Sequence, residues 1–79
     1  MARVLLIEDD ELSMITVAKF LETADHDVAE ATDGEKALAR DDLDTFDLVV
    51  TDIIMPNREG ISTIGELKAR YPEKKIMVI

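Results

Sequence analysis

The chain contains no cysteine. Disulfides and thiolate metal sites are therefore excluded, and small domains often rely on one or the other. The lack of cysteine fits a reducing compartment. Basic residues are also scarce: 9 Lys+Arg stand against 18 Asp+Glu, a formal net charge of −9. Phosphates would be repelled by such a chain, which argues against direct nucleic-acid binding. Most of the acidity reads as a solvated surface. No apolar run approaches the ~20 residues of a membrane span. The opening "ARVLLIEDD" has an apolar core too short for a signal sequence, with charge on both sides. The chain reads as cytoplasmic. Repeats, low-complexity tracts and linker-like stretches are missing as well. With 79 residues it is at most one small domain, and such a domain buries only about 60% of the surface its unfolded chain exposes.

What is present alternates between two periodicities. "RVLLIEDD" opens with a continuous apolar run, Val4 to Ile7, and then three acids. A run of that length and composition predicts a strand buried on both faces. From Glu11 to Ala24 the pattern becomes helical. Met14, Val17, Leu21 and Ala24 share a face, Ala18 and Phe20 lie beside them, and Asp10 is placed to cap. A polar turn, Asp25 to Asp27, leads to a short strand, Val28 to Ala31. "TDGEKALA" predicts a second helix capped by Thr32 or Asp33, with Ala37 and Leu38 inward. "ARDDLD" reads as a solvated helix end. Leu48 to Thr51 predicts another doubly buried strand.

After Asp52 comes the turn "IMPNREG", in which Pro56 fixes φ and Gly60 relaxes the backbone. "ISTIGELKARY" places Ile61, Ile64, Leu67 and Tyr71 on one helical face. Pro72 ends that helix, and "KKIMVI" is a last strand. Phe20, Phe46, Met14, Met55 and Met77 read as core, and His26 as a surface residue in a polar turn. The order β-α-β-α-β-α-β predicts an α/β fold with parallel strands and right-handed crossovers.

Ligands of open parallel sheets bind beyond the carboxyl ends of the strands. Two strands here end on acids: the first on Glu8, Asp9 and Asp10, the third on Asp52. If these strands are neighbours, their carboxylates converge. Like charges brought together raise at least one pKa, and a hard divalent cation relieves that cost. The arrangement makes sense as a Mg2+ site that also receives a phosphoryl group. Each element has a plainer reading: "EDD" alone is a solvated loop, and Asp10 alone a helix cap. Only the combination with Asp52 and the "MP…G" turn is specific.

"VLLIEDDE", "DGEKAL" and "DLVVTDIIMPNREG" together resemble the receiver domain of two-component response regulators, over the whole chain. The resemblance implies a flavodoxin-like parallel sheet in the order 2-1-3-4, continued in the family by a fifth strand. It implies that Asp52 is the phosphoacceptor. Asp9 and Asp52 would ligate Mg2+ directly, Glu8 through water, and Ile54 through its main-chain carbonyl. Met55 and Pro56 match the turn that shapes the site, and Gly60 the glycine that opens the third helix. The phosphodonor would be a sensor histidine kinase or phosphotransfer protein, or a small acyl phosphate. The module would be a signalling switch, not an enzyme.

The family's domain runs on past this sequence. It places a Ser or Thr after the fourth strand and a Lys after the fifth. Lys74 and Lys75 precede the fourth strand and cannot stand in for that Lys. Residues 1–79 therefore read as a partial receiver domain lacking an α-β-α segment, with phosphorylation and switching impaired. The fourth strand would be an exposed apolar edge, so a homodimer or a longer parent chain is expected. The alternative function is a self-associating structural fragment without phosphoryl chemistry. A flavin-binding module of similar topology is disfavoured, because the first strand-to-helix turn carries acids instead of Gly, Ser or Thr.

Overall fold

A computed structural model describes residues 1–52 and 59–79, with only the backbone of residues 59 and 60. The two apolar runs form the central strands, β1 (Arg3–Ile7) and β3 (Leu48–Thr51). Around them come α1 (Glu11–Thr23), β2 (Asp27–Ala31), α2 (Gly34–Leu38), a 3-10 turn (Leu43–Thr45), α3 (Glu59–Arg70) and β4 (Lys75–Val78). All pairings are parallel and the sheet order is β2-β1-β3-β4. This is the expected α/β flavodoxin-like arrangement.

The unbroken apolar runs are explained by two cores, one on each face of the sheet. Leu5, Ile7 and Val49 pack with Ala37, Leu43, Phe46 and Leu67 on one face. Val4, Leu6 and Val50 pack with Met14 and Ala18 on the other. Successive residues of a strand point to opposite faces, so a strand covered on both sides must be apolar throughout.

Local capping sets the helix starts. The Asp10 carboxylate accepts from the Ser13 backbone N–H at 2.9 Å and from its hydroxyl at 2.8 Å, satisfying groups that the first helical turn leaves without partners. Asp33, not Thr32, caps α2, accepting from the Lys36 N–H at 2.7 Å. After α1 the chain reverses through Asp25, whose φ is 71°; Asp tolerates that left-handed region better than most residues.

Several expectations about burial are corrected. Phe20 is 73% exposed; it lies about 200° around the helix from inward-facing Ala18. Ile61 is 60% exposed, and the inward positions of α3 are Thr63 and Leu67, with Ile64 and Tyr71 half-buried. Ile61 sits about 120° from Leu67, off the packed stripe. Ala24 is exposed beyond the last turn of α1. Met77 is 51% exposed because β4 is an edge and α1 packs over β1 and β2. Met55 lies outside the described residues.

"ARDDLD" is not simply solvated. Leu43 is buried in the core, and Asp42 accepts from Arg40 Nε at 2.8 Å and from Arg3 Nη2 at 3.0 Å. His26 is half-buried, its Nδ1 accepting from the Ala2 N–H at 3.0 Å.

Candidate functional site

The last rung between β1 and β3 pairs Ile7 with Thr51. The next residue on each strand is an acid, so Glu8 and Asp52 leave the sheet side by side. Glu8 continues the β1–β2 ladder, its N–H donating to the Ala31 carbonyl at 3.1 Å. Beside β3, the Ile79 N–H donates to the Thr51 carbonyl at 3.0 Å. The backbone beneath the acids is thus held on both sides.

Glu8 is only 4% exposed. Burial is the main cause that pushes its carboxyl above the usual range. The Asp10 N–H, donating to Glu8 Oε1 at 3.0 Å, acts in the opposite direction. A hydrogen bond with Asp9 and the charges of Asp52 and Asp9 raise it further. Glu8 thus feels acids from its own loop and from the neighbouring strand. Asp52 is half-buried and Asp9 exposed. Glu8 is thus placed between Asp9 of its own loop and Asp52 at the end of the neighbouring strand.

Beside them a cleft of about 440 Å³ opens between α1 and β2. Glu8, Asp9, Glu11 and Glu30 supply its acids, and Met14 and Ile15 its apolar part. Glu30 was not anticipated from the sequence. Its polar character within "DVAEA", next to the carboxyl end of a strand, is the signal that marks it.

The donors at this rim are hard oxygens, the type Mg2+ prefers. Among the described residues no group of three His, Cys, Asp or Glu side chains is placed to hold a metal ion by itself. Such a group is not required, since Mg2+ is commonly held by one or two carboxylates plus waters and phosphate. The donor chemistry therefore fits. Ile54, expected as a main-chain ligand, lies outside the described residues, as does Pro56. Gly60 is the second residue of α3.

Lys74 lies at the other end of the sheet, donating from Nζ to the Phe46 carbonyl at 2.8 Å. A second cleft, of about 430 Å³, opens there beside Phe46 and Tyr71. Neither Lys74 nor Lys75, the first residue of β4, is near Asp52.

Similar proteins point the same way. The chain is 42% identical over 79 residues to the transcription factor SKN7 of Chaetomium thermophilum, covering 98% of this chain and 10% of that protein. It is 37% identical to the response regulator receiver protein CpdR of Brucella abortus, covering all of this chain and 66% of CpdR. The response regulator TrrA of Thermotoga maritima, solved in complex with Mg2+–BeF, is 28% identical with a TM-score of 0.89, covering 99% of this chain and 68% of TrrA. TrrA has also been solved in complex with the histidine kinase ThkA; that structure superimposes with a TM-score of 0.87 at 28% identity, covering 99% of this chain and 67% of that one. The chain spans about a tenth of the length of several of the curated proteins it matches. The family model of the response regulator receiver domain matches residues 4–79, and with the acid rim and the 2-1-3-4 parallel sheet this places the chain in the response regulator receiver domain family.

Proposed function

We propose that this chain is the phosphoacceptor receiver module of a two-component phosphorelay, with Asp52 accepting a phosphoryl group from a histidine kinase or phosphotransfer protein. The observation that supports the reading is the Ile7–Thr51 rung, after which Glu8 and Asp52 leave adjacent parallel strands with Asp9 next in the chain. The TrrA complexes with Mg2+–BeF and with a histidine kinase support the ion and the partner.

In the transfer, an Asp52 carboxylate oxygen attacks phosphorus. The donor's phosphorus–nitrogen bond breaks, its electron pair stays on the imidazole, and the imidazole takes up a proton. Phosphoryl transfer needs positioning and charge neutralisation more than covalent help. Bound Mg2+ would supply part of that neutralisation. Asp9 and Asp52 would hold the ion directly, Glu8 through water, and the Ile54 carbonyl as a further ligand. The chain's own contribution is rigidity: the ladder bonds fix where the acids leave the sheet, and the Asp10 N–H orients Glu8.

The module acts as a signalling switch in the cytoplasm and not as an enzyme. Among the described residues no helix is long and apolar enough to cross a membrane. Met77 and Val78 are exposed on β4, and Ile79 just after it, and this edge is proposed to pair with a second copy. Sedimentation equilibrium tests that part: a compact monomer at every concentration contradicts it.

The test of the main reading is incubation with Mg2+ and a small acyl phosphate, followed by intact-mass measurement. The wild type should gain one phosphoryl group and Asp52→Asn none. No gain by the wild type, or an equal gain by the variant, overturns the reading.

A further inference from the structure

We propose that His26 is an acid-sensitive latch joining the α1–β2 turn to the start of β1. The chain has one histidine, and Ala2 donates its backbone N–H to His26 Nδ1 at 3.0 Å. An N–H can donate only to a bare ring nitrogen, so the contact fixes the neutral imidazole with its proton on Nε2. Protonation puts a second N–H on Nδ1. Two donors then face each other, and the bond is lost.

The surrounding bonds make this contact a junction. The His26 N–H donates to the Leu21 carbonyl at 3.1 Å, which ties the turn to the end of α1. The Asp27 N–H donates to the Ala2 carbonyl at 2.9 Å, one residue before the first β1–β2 rung, Arg3 with Asp27. Ala2 is thus held through both its N–H and its carbonyl, and only the first bond depends on a titratable acceptor. The charged residues that adjoin this junction are Glu22 in the last turn of α1, Asp25 in the turn, Asp27 on β2 and, across the first rung, Arg3 on β1. Arg3 Nη1 is paired with the Asp27 carboxylate at 2.9 Å, and α1 carries no basic residue in its last turn. The latch lies at the end of the sheet away from Glu8 and Asp52.

The His26→Asn variant separates the latch from general acid sensitivity, because the Asn side-chain oxygen offers an acceptor near the Nδ1 position that does not titrate. Imidazole 15N shifts of the wild type at pH 8 should show a bare Nδ1 and a protonated Nε2. Between pH 8 and pH 5, urea unfolding should show the wild type's folded-to-unfolded ratio falling roughly three- to tenfold relative to His26→Asn, the range of one part-exposed hydrogen bond. A proton on Nδ1 at pH 8 overturns the proposal, as do unfolding curves that stay parallel across the range. If His26→Asn does not fold, the wild type decides: the Ala2 amide resonance must move with imidazole protonation, and an unmoved resonance overturns the latch.

Discussion

The two ends of the sheet use the same kind of residue in opposite ways. At the carboxyl end, Glu8 is buried and raised by its surroundings and by the acids Asp9 and Asp52. At the amino end, Asp42 is held below the usual carboxylate range, first by its hydrogen bonds from Arg40 and also by the nearby charge of Arg3. Arg3 Nη1 also binds Asp27 and its Nε binds Thr45 Oγ1, at 2.9 Å each, while its guanidinium lies 4.6 Å from the centre of the Phe46 ring. At the amino end the acid Asp42 meets cations supplied by the chain; at the carboxyl end Glu8 sits beside the further acids Asp9 and Asp52. The contrast separates residues that hold the fold from residues of the proposed phosphoryl site.

Substitutions at the two ends should therefore behave differently. The largest effect expected is at the acid end, where Asp52→Asn abolishes phosphoryl gain while circular dichroism shows the fold retained. Loss of the fold with Asp52→Asn would break the separation. At the other end, Leu43→Ala should destabilise by about 2–5 kcal/mol, because a fully buried leucine leaves a cavity. Urea unfolding measures this, and Mg2+ binding per folded molecule should be unchanged.

Glu8→Gln sharpens the comparison with an effect of mixed sign. A carboxyl raised in the folded state favours folding while protonated, and that contribution is lost as pH rises through its folded pKa. Without Mg2+ at neutral pH, the variant should be more stable than the wild type in urea, yet bind Mg2+ more weakly by calorimetry. A variant less stable than the wild type under those conditions would show that Glu8 serves the fold. The smallest effect belongs to Asp42→Asn. Asp42 is lowered in the folded state, so its contribution is present above the unfolded-state pKa and is lost as pH falls through the folded value. The variant should be less stable at pH 7 and should converge with the wild type in strong acid, with a difference that shrinks as salt rises.

Much of the acid end was legible in the sequence. Apolar runs that stop on acids give both the strands and the points where the carboxylates leave them, and neighbouring parallel strands then bring Glu8 and Asp52 together. The amino end was not legible. The partners of Arg3 lie 24, 39, 42 and 44 residues away, so nothing local marks "ARDDLD" as part of a network. Helical periodicity put the right residues near the inward stripes of α1 and α3 but did not fix the stripes' edges. Phe20 and Ile61 fall just outside them, and buried Thr63 takes a place that an apolar pattern would give to isoleucine. Met77 is apolar in sequence yet exposed, because it lies on edge strand β4 while α1 packs over β1 and β2.

The convergence of the acids is tested most directly by the Glu8 carboxyl. Its titration, followed by 13C NMR with and without Mg2+, should show a pKa above the ordinary glutamate range in the free protein, lowered by Asp52→Asn and lowered by saturating Mg2+. An ordinary value that responds to neither change would contradict the meeting of Glu8 and Asp52 at one rim.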